Sequence, residues 1–286
     1  MSTSPNLAWD PALYLRFGSQ RLRPALDLLA RIPIEAPARI IDLGCGAGNV
    51  TALLCRRWPR AAVLGIDSSG PMLDHARHAA PGLPFGSPGT PLRERNGVPA
   101  NGDPSEARFE RADIAQFVPP EPPALLYSNA ALQWLPDHPR LLPRLLSFLA
   151  PGGFLAVQMP AMDAAPFRAL QREVAMGGPW AAALAEVPHV HSVLPPDQYW
   201  DLLKPRSASL DIWETIYLHA LTGPDAVLQW AMGTSLRPYL DALDEPERSS
   251  FRDAYAAALR PHYPQRPDGT TLLPFRRLFL LAKAPE

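Results

Sequence analysis

Cysteine is nearly absent, with only Cys45 and Cys55 in 286 residues. Two thiols so close together, in segments that read as strand and helix, support neither a disulfide framework nor a zinc site. Charge is also sparse: 27 Lys and Arg stand against 28 Asp and Glu, a formal net charge of −1, and charged residues are 19% of the chain, below the roughly 25% of average soluble domains. This balance argues against broad electrostatic capture of nucleic acid or an acidic membrane, while leaving room for a local cationic pocket. No run reaches ~18 consecutive apolar residues, so hydropathy predicts no transmembrane helix. Met1–Pro11 has no basic n-region and no apolar h-region, so no secretory signal is read there. The expectation is a soluble, cytoplasmic chain with no metal, membrane or nucleic-acid partner. Proline is the excess, 36 residues against a usual ~5%.

Hydrophobic residues make up 47% of the chain, and at this length roughly three quarters of the unfolded surface can be buried. Leu22, Leu26 and Leu29 fall at helical spacing in a segment that should stop before Pro33. Ala38–Leu43 is a short apolar run that enters the glycine-rich loop Gly44-Cys-Gly-Ala-Gly48, and a helix is predicted over 49–58. A second apolar run, Ala61–Ile66, ends at Asp67, and Pro71 opens a helix predicted to Ala80. Strand, helix, strand, helix at this spacing means βαβ units and a parallel sheet. The alternation resumes with a strand at Ala124–Ser128, a helix at Asp137–Ala150 and a strand at Gly153–Met159. Leu210–Tyr217 and Arg277–Lys283 read as two final strands, and Met162–Pro196 and Gly223–Pro261 as mostly helical. Between the helix predicted to Ala80 and the strand at Ala124, Gly86–Glu106 holds four Pro, four Gly and almost no large apolar residue, so it reads as a flexible surface insertion. It interrupts one strand region, with Leu83–Phe85 before it and Arg108–Glu110 after it.

The strongest local signal is Ile40-Ile-Asp-Leu-Gly-Cys-Gly-Ala-Gly48, between a strand and a helix. Glycines let a ligand approach the backbone, and the helix N-terminus offers N–H groups to an anion. A dinucleotide loop, G-x-G-x-x-G, would need a third glycine at position 49, which is Asn. The spacing G-x-G-x-G after Asp42 resembles the first motif of class I S-adenosylmethionine-dependent methyltransferases. That resemblance implies a Rossmann-like α/β fold, a mostly parallel sheet whose last strand is antiparallel, and helical cap insertions. It implies S-adenosylmethionine as cofactor, held by Asp42, Gly44, Cys45, Gly46 and Gly48, by Asp67 and Ser68 after the second strand, by Asp113 and Ile114, and by Asn129. Ala124 is a departure, because the family's fourth strand usually opens with an acid.

Beyond that loop, Trp9-Asp-Pro-Ala-Leu-Tyr14, Arg21-Leu-Arg-Pro24, Gly65-Ile-Asp-Ser-Ser69, Ser128-Asn-Ala-Ala-Leu-Gln-Trp-Leu-Pro-Asp-His138, Leu155-Ala-Val-Gln-Met-Pro160, Asp211-Ile-Trp-Glu-Thr215, Leu236-Arg-Pro238 and Pro274-Phe-Arg-Arg-Leu-Phe279 together resemble the trans-aconitate 2-methyltransferase family. The resemblance covers nearly everything except 86–106. It implies a single domain over 1–286, divided into an N-terminal lid region (1–36), a cofactor-binding half (37–160) and helical caps (161–196 and 222–266). It implies transfer of a methyl group to one carboxylate of a small polycarboxylate; the oligomeric state stays open, with a monomer favoured.

A carboxylate is ionised at neutral pH and needs no general base, so no catalytic side chain is predicted and rate rests on positioning. Arginine forks suit the carboxylates left over. Candidates are Arg23, Arg237 and Arg276, with Arg21 and Arg277 weighed beside them, and Tyr14, Trp134 and Tyr239 as walls or donors. Arg276 and Arg277 are adjacent on a strand, so at most one faces the site. His138, His189 and His191 read as solvated or capping side chains. Two readings stay open: a methyltransferase of the same fold with another carboxylate or hydroxyl acceptor, and a module that binds the cofactor without turnover.

Overall fold

The computed structural model describes residues 18–79, 107–187 and 193–286. Tyr14, the Leu83–Phe85 segment, the 86–106 insertion, His189 and His191 lie outside the described residues. In chain order the elements are α1 (Gly18–Arg31), β1 (Arg39–Leu43), α2 (Asn49–Arg57), β2 (Ala62–Asp67), α3 (Gly70–Ala79), β3 (Arg108–Arg111) and β4 (Leu125–Asn129). Then come a single 3₁₀ turn at Leu132–Trp134, α4 (His138–Ser147), β5 (Phe154–Pro160), α5 (Pro166–Gly177), the short α6 (Ala181–Leu184) and α7 (Pro196–Leu203). The chain finishes with β6 (Ser209–Thr222), α8 (Ala226–Met232), α9 (Arg237–Asp241), α10 (Glu245–Leu259) and β7 (Thr270–Lys283).

One seven-stranded sheet has the order β3-β2-β1-β4-β5-β7-β6. β1 pairs in parallel with β2 and β4, β2 with β3, and β4 with β5, while the last strands run antiparallel. The central strands are near-continuous apolar runs because helices cover both faces: Ile40, Leu43, Leu125, Leu126, Leu155 and Val157 are all fully buried. The chain leaves β1 in one direction and returns to β4 on its other side. That reversal is where doubly wound sheets open a crevice at the carboxyl ends of their strands.

The chain forms two compact units. The larger comprises Leu22–Met159, Leu194–Glu214 and Leu278–Glu286. Within it, Tyr127 on β4 is fully buried and its hydroxyl donates to the Ala25 carbonyl of α1 at 2.7 Å. The smaller comprises Pro160–Val193 and Thr215–Arg277, with residues 18–21. It has a core of its own, built around Trp180, Phe251, Tyr255 and Trp230. α10 supplies much of it through Phe251, Tyr255 and Leu259, one helical turn apart. Trp180 meets Phe251 edge-on at 5.3 Å, and Tyr239 stacks on the same ring at 6.0 Å.

The two last strands are longer than the sequence predicts: each has 14 residues. The added part of β7 alternates with period two, burying Thr271, Leu273 and Phe275. In β6 the polarity is inverted. Tyr217, His219 and Leu221 point inward while Ile216 and Leu218 stay more than 60% exposed. A buried histidine next to exposed Ile216 and Leu218 hides the strand from a hydrophobicity pattern. His219 is held by ring contacts instead, 4.8 Å from Trp230 and 5.5 Å from Phe275.

α10 starts at an Asp244 cap whose carboxylate accepts the Glu247 N–H at 3.0 Å, with Glu245 and Glu247 in the first turn. Replacing Asp244 with Ala should lower stability by about 0.5–2 kcal/mol, read as a drop in thermal midpoint; an unchanged midpoint would show that the cap is dispensable.

Candidate functional site

The cofactor candidates, all in the larger unit, lie at the carboxyl ends of four neighbouring parallel strands. Register sets this arrangement: Leu43 pairs with Ile66, Asp67 with Arg111, and Asp42 with both Gly65 and Tyr127. Loops leaving β1, β2, β3 and β4 therefore emerge on the same edge of the sheet.

The β1 loop is anchored to β2. Gly44 and Cys45 both donate their N–H to the Ile66 carbonyl, at 2.8 and 2.9 Å. Asp67, one residue on, accepts the Gly46 N–H on Oδ2 at 2.9 Å and the Ser69 N–H on Oδ1 at 2.8 Å. One carboxylate thus fixes two loops, and each oxygen keeps a further lone-pair direction. Ser68 is exposed, and its carbonyl accepts from Arg111 Nε at 3.1 Å.

Gly44 and Gly46 are glycine for different reasons, although both have positive φ, +74° and +54°. A Cβ on Gly44 would sit 2.3 Å from the Ala131 Cβ, so the β1 and β4 loops touch backbone to side chain there. A Cβ on Gly46 would meet nothing within 4 Å, so the space above the loop is open.

Asp42, beneath the loop, is buried and takes a hydrogen bond from Thr51 Oγ1 at 2.6 Å. Burial pushes its carboxyl up to about 7; the Thr51 bond opposes this and the Asp67 charge adds to it. Burial, with help from Asp42 and Asp67, likewise pushes the Cys45 thiol well up. It therefore stays protonated, a small packing group rather than a nucleophile.

Asp113 follows β3. It is exposed, and its Oδ1 accepts the Ala115 N–H at 2.9 Å while its carbonyl accepts from Gln116 and Phe117. Ile114 beside it is buried. Sequence reasoning missed the residue that holds this turn: Arg144 of α4 donates to the Ile114 carbonyl at 2.7 Å and the Phe117 carbonyl at 3.2 Å. Only an unexplained arginine on an otherwise apolar helix face signalled it.

At the end of β4, Asn129 Oδ1 is buried with no partner among the described residues. Ala130 follows in the left-handed region at φ 54°, with its N–H on the Gln158 carbonyl at 2.9 Å. Gln133 Nε2 donates to the Ala130 carbonyl at 2.7 Å, and its own buried Oε1 has no partner among the described residues. Strained backbone and orphaned buried acceptors beside an open glycine loop are what a polar ligand would complete.

His138 was expected at the surface or at a helix cap, and the structure corrects this. It is 3% exposed, with Nε2 2.9 Å from the Leu132 carbonyl and Nδ1 2.5 Å from the Tyr199 hydroxyl. The carbonyl requires a proton on Nε2, so Nδ1 accepts from Tyr199 O–H, whose oxygen accepts the Leu194 N–H at 3.1 Å. This buried chain joins the β4 loop to the segment before α7.

The other candidates are spread out. Arg23 is exposed on α1, and Trp134 is 49% exposed. In the smaller unit, Arg237 is part-exposed with Nε 3.5 Å from Asp241, while Tyr239 is buried at 6% exposure. Arg276 is exposed, its Nε donating to the Ala161 carbonyl at 3.0 Å. Arg277 is buried, its guanidinium 4.5 Å from the Phe275 ring centroid. These two arginines do face opposite ways.

A methyltransferase-domain family model matches residues 14–206. The trans-aconitate 2-methyltransferase of Methylobacterium radiotolerans is 46% identical over 278 residues, covering 96% of this chain and 98% of its own. That of an Azoarcus species is 42% identical over 274 residues, with the same coverage. Among solved structures, the YcgJ protein from Bacillus subtilis is similar with a TM-score of 0.55 at 11% identity, over 92% of this chain and 99% of that one. Phosphoethanolamine N-methyltransferase 2 of Haemonchus contortus, in complex with S-adenosyl-L-methionine, gives 0.53 at 14% identity, over 96% of this chain and 56% of that one. At those identities the structural likeness is one of fold.

The glycine geometry predicts unequal effects on stability. Gly44→Ala adds a clash to a strained φ and should cost about 2–4 kcal/mol; Gly46→Ala carries only the strain, about 1–2 kcal/mol. Denaturant unfolding of both checks this, and equal losses would contradict it. Asp42 makes a second prediction. Its carboxyl binds a proton more tightly folded, at about 7, than unfolded, at about 3.9. Between those values the native state holds more protons, so this group's contribution to stability is lost as pH rises from about 4 to about 7. Asp42→Asn should flatten that part of the pH–stability curve, and an unchanged slope would mean that Asp42 is ionised throughout.

Proposed function

The chain belongs to the trans-aconitate 2-methyltransferase family, and we propose that it transfers the methyl group of S-adenosylmethionine to one carboxylate of trans-aconitate, giving a monomethyl ester. The observation that carries the reading is that the match to those relatives runs through nearly the whole chain, both units included. In this reading the cofactor's methionine part lies against Gly44, Cys45, Gly46 and Gly48, above the buried Asp42, with Asn129 beside it. Asp67 and Ser68 meet the ribose, and Asp113 and Ile114 the adenine. The unpartnered Asn129 Oδ1, the open space over Gly46 and the lone pairs of Asp67 suit a ligand that brings an ammonium group and hydroxyls.

The bound cofactor supplies an electrophilic methyl group on a cationic sulfur. Trans-aconitate's carboxylates have ordinary acidity and are ionised at neutral pH, so no residue of the chain has a proton to remove. What the protein contributes is orientation and exclusion of water, which can supply several kcal/mol to an in-line transfer. The attack joins an anion to a cation and disperses both charges, so a dry, rigid site favours it. Rigidity comes from fixed backbone: Asp67 ties the β1 and β2 loops, and Arg144 ties the Asp113 turn. Tyr14, Arg23, Trp134, Arg237, Tyr239 and Arg276 remain the candidates for contact with the acceptor. This fits a cytoplasmic enzyme whose partners are small molecules.

The test is a mass-spectrometric methyl-transfer assay with S-adenosylmethionine and trans-aconitate, cis-aconitate, isocitrate and citrate offered side by side. The expected outcome is a monomethyl ester formed fastest from trans-aconitate. A faster reaction with another acid would move the substrate assignment. Cofactor binding with no ester from any of the four would overturn the reading in favour of a different acceptor or a silent binding module.

A further inference from the structure

The β4 loop of the larger unit carries a glutamine to which neither the glycine-loop motif nor the family resemblance gives a role. Gln133 sits in the Leu132–Trp134 turn and is 6% exposed. Its Nε2 donates to the Ala130 carbonyl at 2.7 Å, which turns the amide back toward the end of β4. Its Oε1 is buried with no partner among the described residues, and so is Asn129 Oδ1 at the strand end, four positions earlier in the chain. Buried amide oxygens without donors are costly, and two so close together call for a ligand that supplies the donors.

The loop is fastened, so neither oxygen is left to find a partner by local rearrangement. His138 Nε2 donates to the Leu132 carbonyl at 2.9 Å, and the Tyr199 hydroxyl holds the other ring nitrogen. The Trp134 N–H closes the turn on the Ala131 carbonyl at 3.1 Å, and Ala130 is kept at φ 54° by its N–H bond to the Gln158 carbonyl. Register sets this loop against the glycine loop. Asp42 pairs with Tyr127, and Ser128 Oγ donates to the Leu43 carbonyl at 3.1 Å, so Asn129 comes level with Gly44. Ala131 packs at the position that a Gly44 side chain would occupy. At Cys45, in the same junction, the field of Asp42 and Asp67 outweighs that of Arg77. Unmet acceptors in a negative field suit a cationic donor.

Resting on the placement of the cofactor's methionine part at this junction, we propose that Gln133 Oε1 joins Asn129 Oδ1 in receiving the ammonium group of S-adenosylmethionine, and that Gln133 thereby selects the cofactor by its amine. An ammonium carries three N–H donors and no acceptor, so one such group satisfies both oxygens at once. The carboxylate on the same carbon has no donor to offer them, so the pair also sets which way round the amino acid lies. Gln133 divides its amide between two tasks: Nε2 fixes the loop and Oε1 meets the ligand. A methionine of similar length would do neither, and a glutamate only the second.

The test is calorimetric titration of the full chain, as wild type, Gln133→Met and Gln133→Glu, with S-adenosylhomocysteine and with its deaminated analogue. Gln133→Met should weaken S-adenosylhomocysteine binding roughly ten- to hundredfold and leave the affinity for the deaminated analogue within about twofold, because the lost oxygen has no partner in that ligand. Gln133→Glu keeps an acceptor for the ammonium and should bind S-adenosylhomocysteine more tightly than Gln133→Met does. A residue that only holds the loop would behave otherwise. Both variants lack the Nε2 donor to Ala130, so they would be equally weak, and both ligands would suffer alike. Either of those results overturns the proposal, as does a wild type that binds the two ligands equally well. In each of these cases S-adenosylhomocysteine still binds the wild type and the functional reading stands. If the wild type binds neither ligand, that reading fails and takes the proposal with it.

Discussion

The Asp67 carboxylate accepts one N–H from the β1 loop and one from the segment just before α3, and in doing so it fixes the open glycine turn after β1 at the sheet's carboxyl edge. Both bonds are charge-assisted, the stronger kind, and both oxygens are engaged without being used up. The β4 loop then closes on the β1 loop from the other side, where Ala131 packs at the position that a Gly44 side chain would occupy. The glycines are therefore consequences of how tightly three strand ends converge. Parallel register makes the convergence unavoidable, since it sends every loop to one edge.

The ionisable groups divide into two kinds of unresolved cost. Asp42 sits in a buried place where its charge is poorly solvated, and it answers by binding a proton more tightly. Arg168 is under similar pressure from burial, and the nearby Asp163 carboxylate offsets part of it. The first tunes the floor of the glycine loop, and the second falls on α5 of the smaller unit. Neither shows in the net charge of −1, which averages over both.

The smaller unit is stabilised by its own aromatic core, to which α10 contributes three buried rungs. Its polar residues are held mainly by backbone carbonyls: Gln171 by Ser235, Arg172 by Asp163, Arg276 by Ala161, Tyr255 by Phe167. Contacts of this kind carry little sequence signature, because any residue presents a carbonyl. That is why a pattern-based reading names Arg237 and Arg276 from local resemblance and does not foresee these contacts.

The sequence by itself determined the doubly wound α/β architecture, the glycine loop and the acid after β2, because these rest on local rules. Apolar runs of strand length, turn glycines and helix spacing are written in consecutive residues. It also marked 162–196 and 223–261 as mostly helical, without the bounds of the individual helices. The tertiary structure alone decided the rest. His138 is a buried link because Tyr199, 61 residues away, happens to face it. β6 and β7 extend to 14 residues because each finds a partner and a core for its inner face, including a histidine that hydropathy would place outside. Arg144 became meaningful only when its surroundings were known. Burial and partnership depend on residues distant in the chain, and no pattern within a short window carries them.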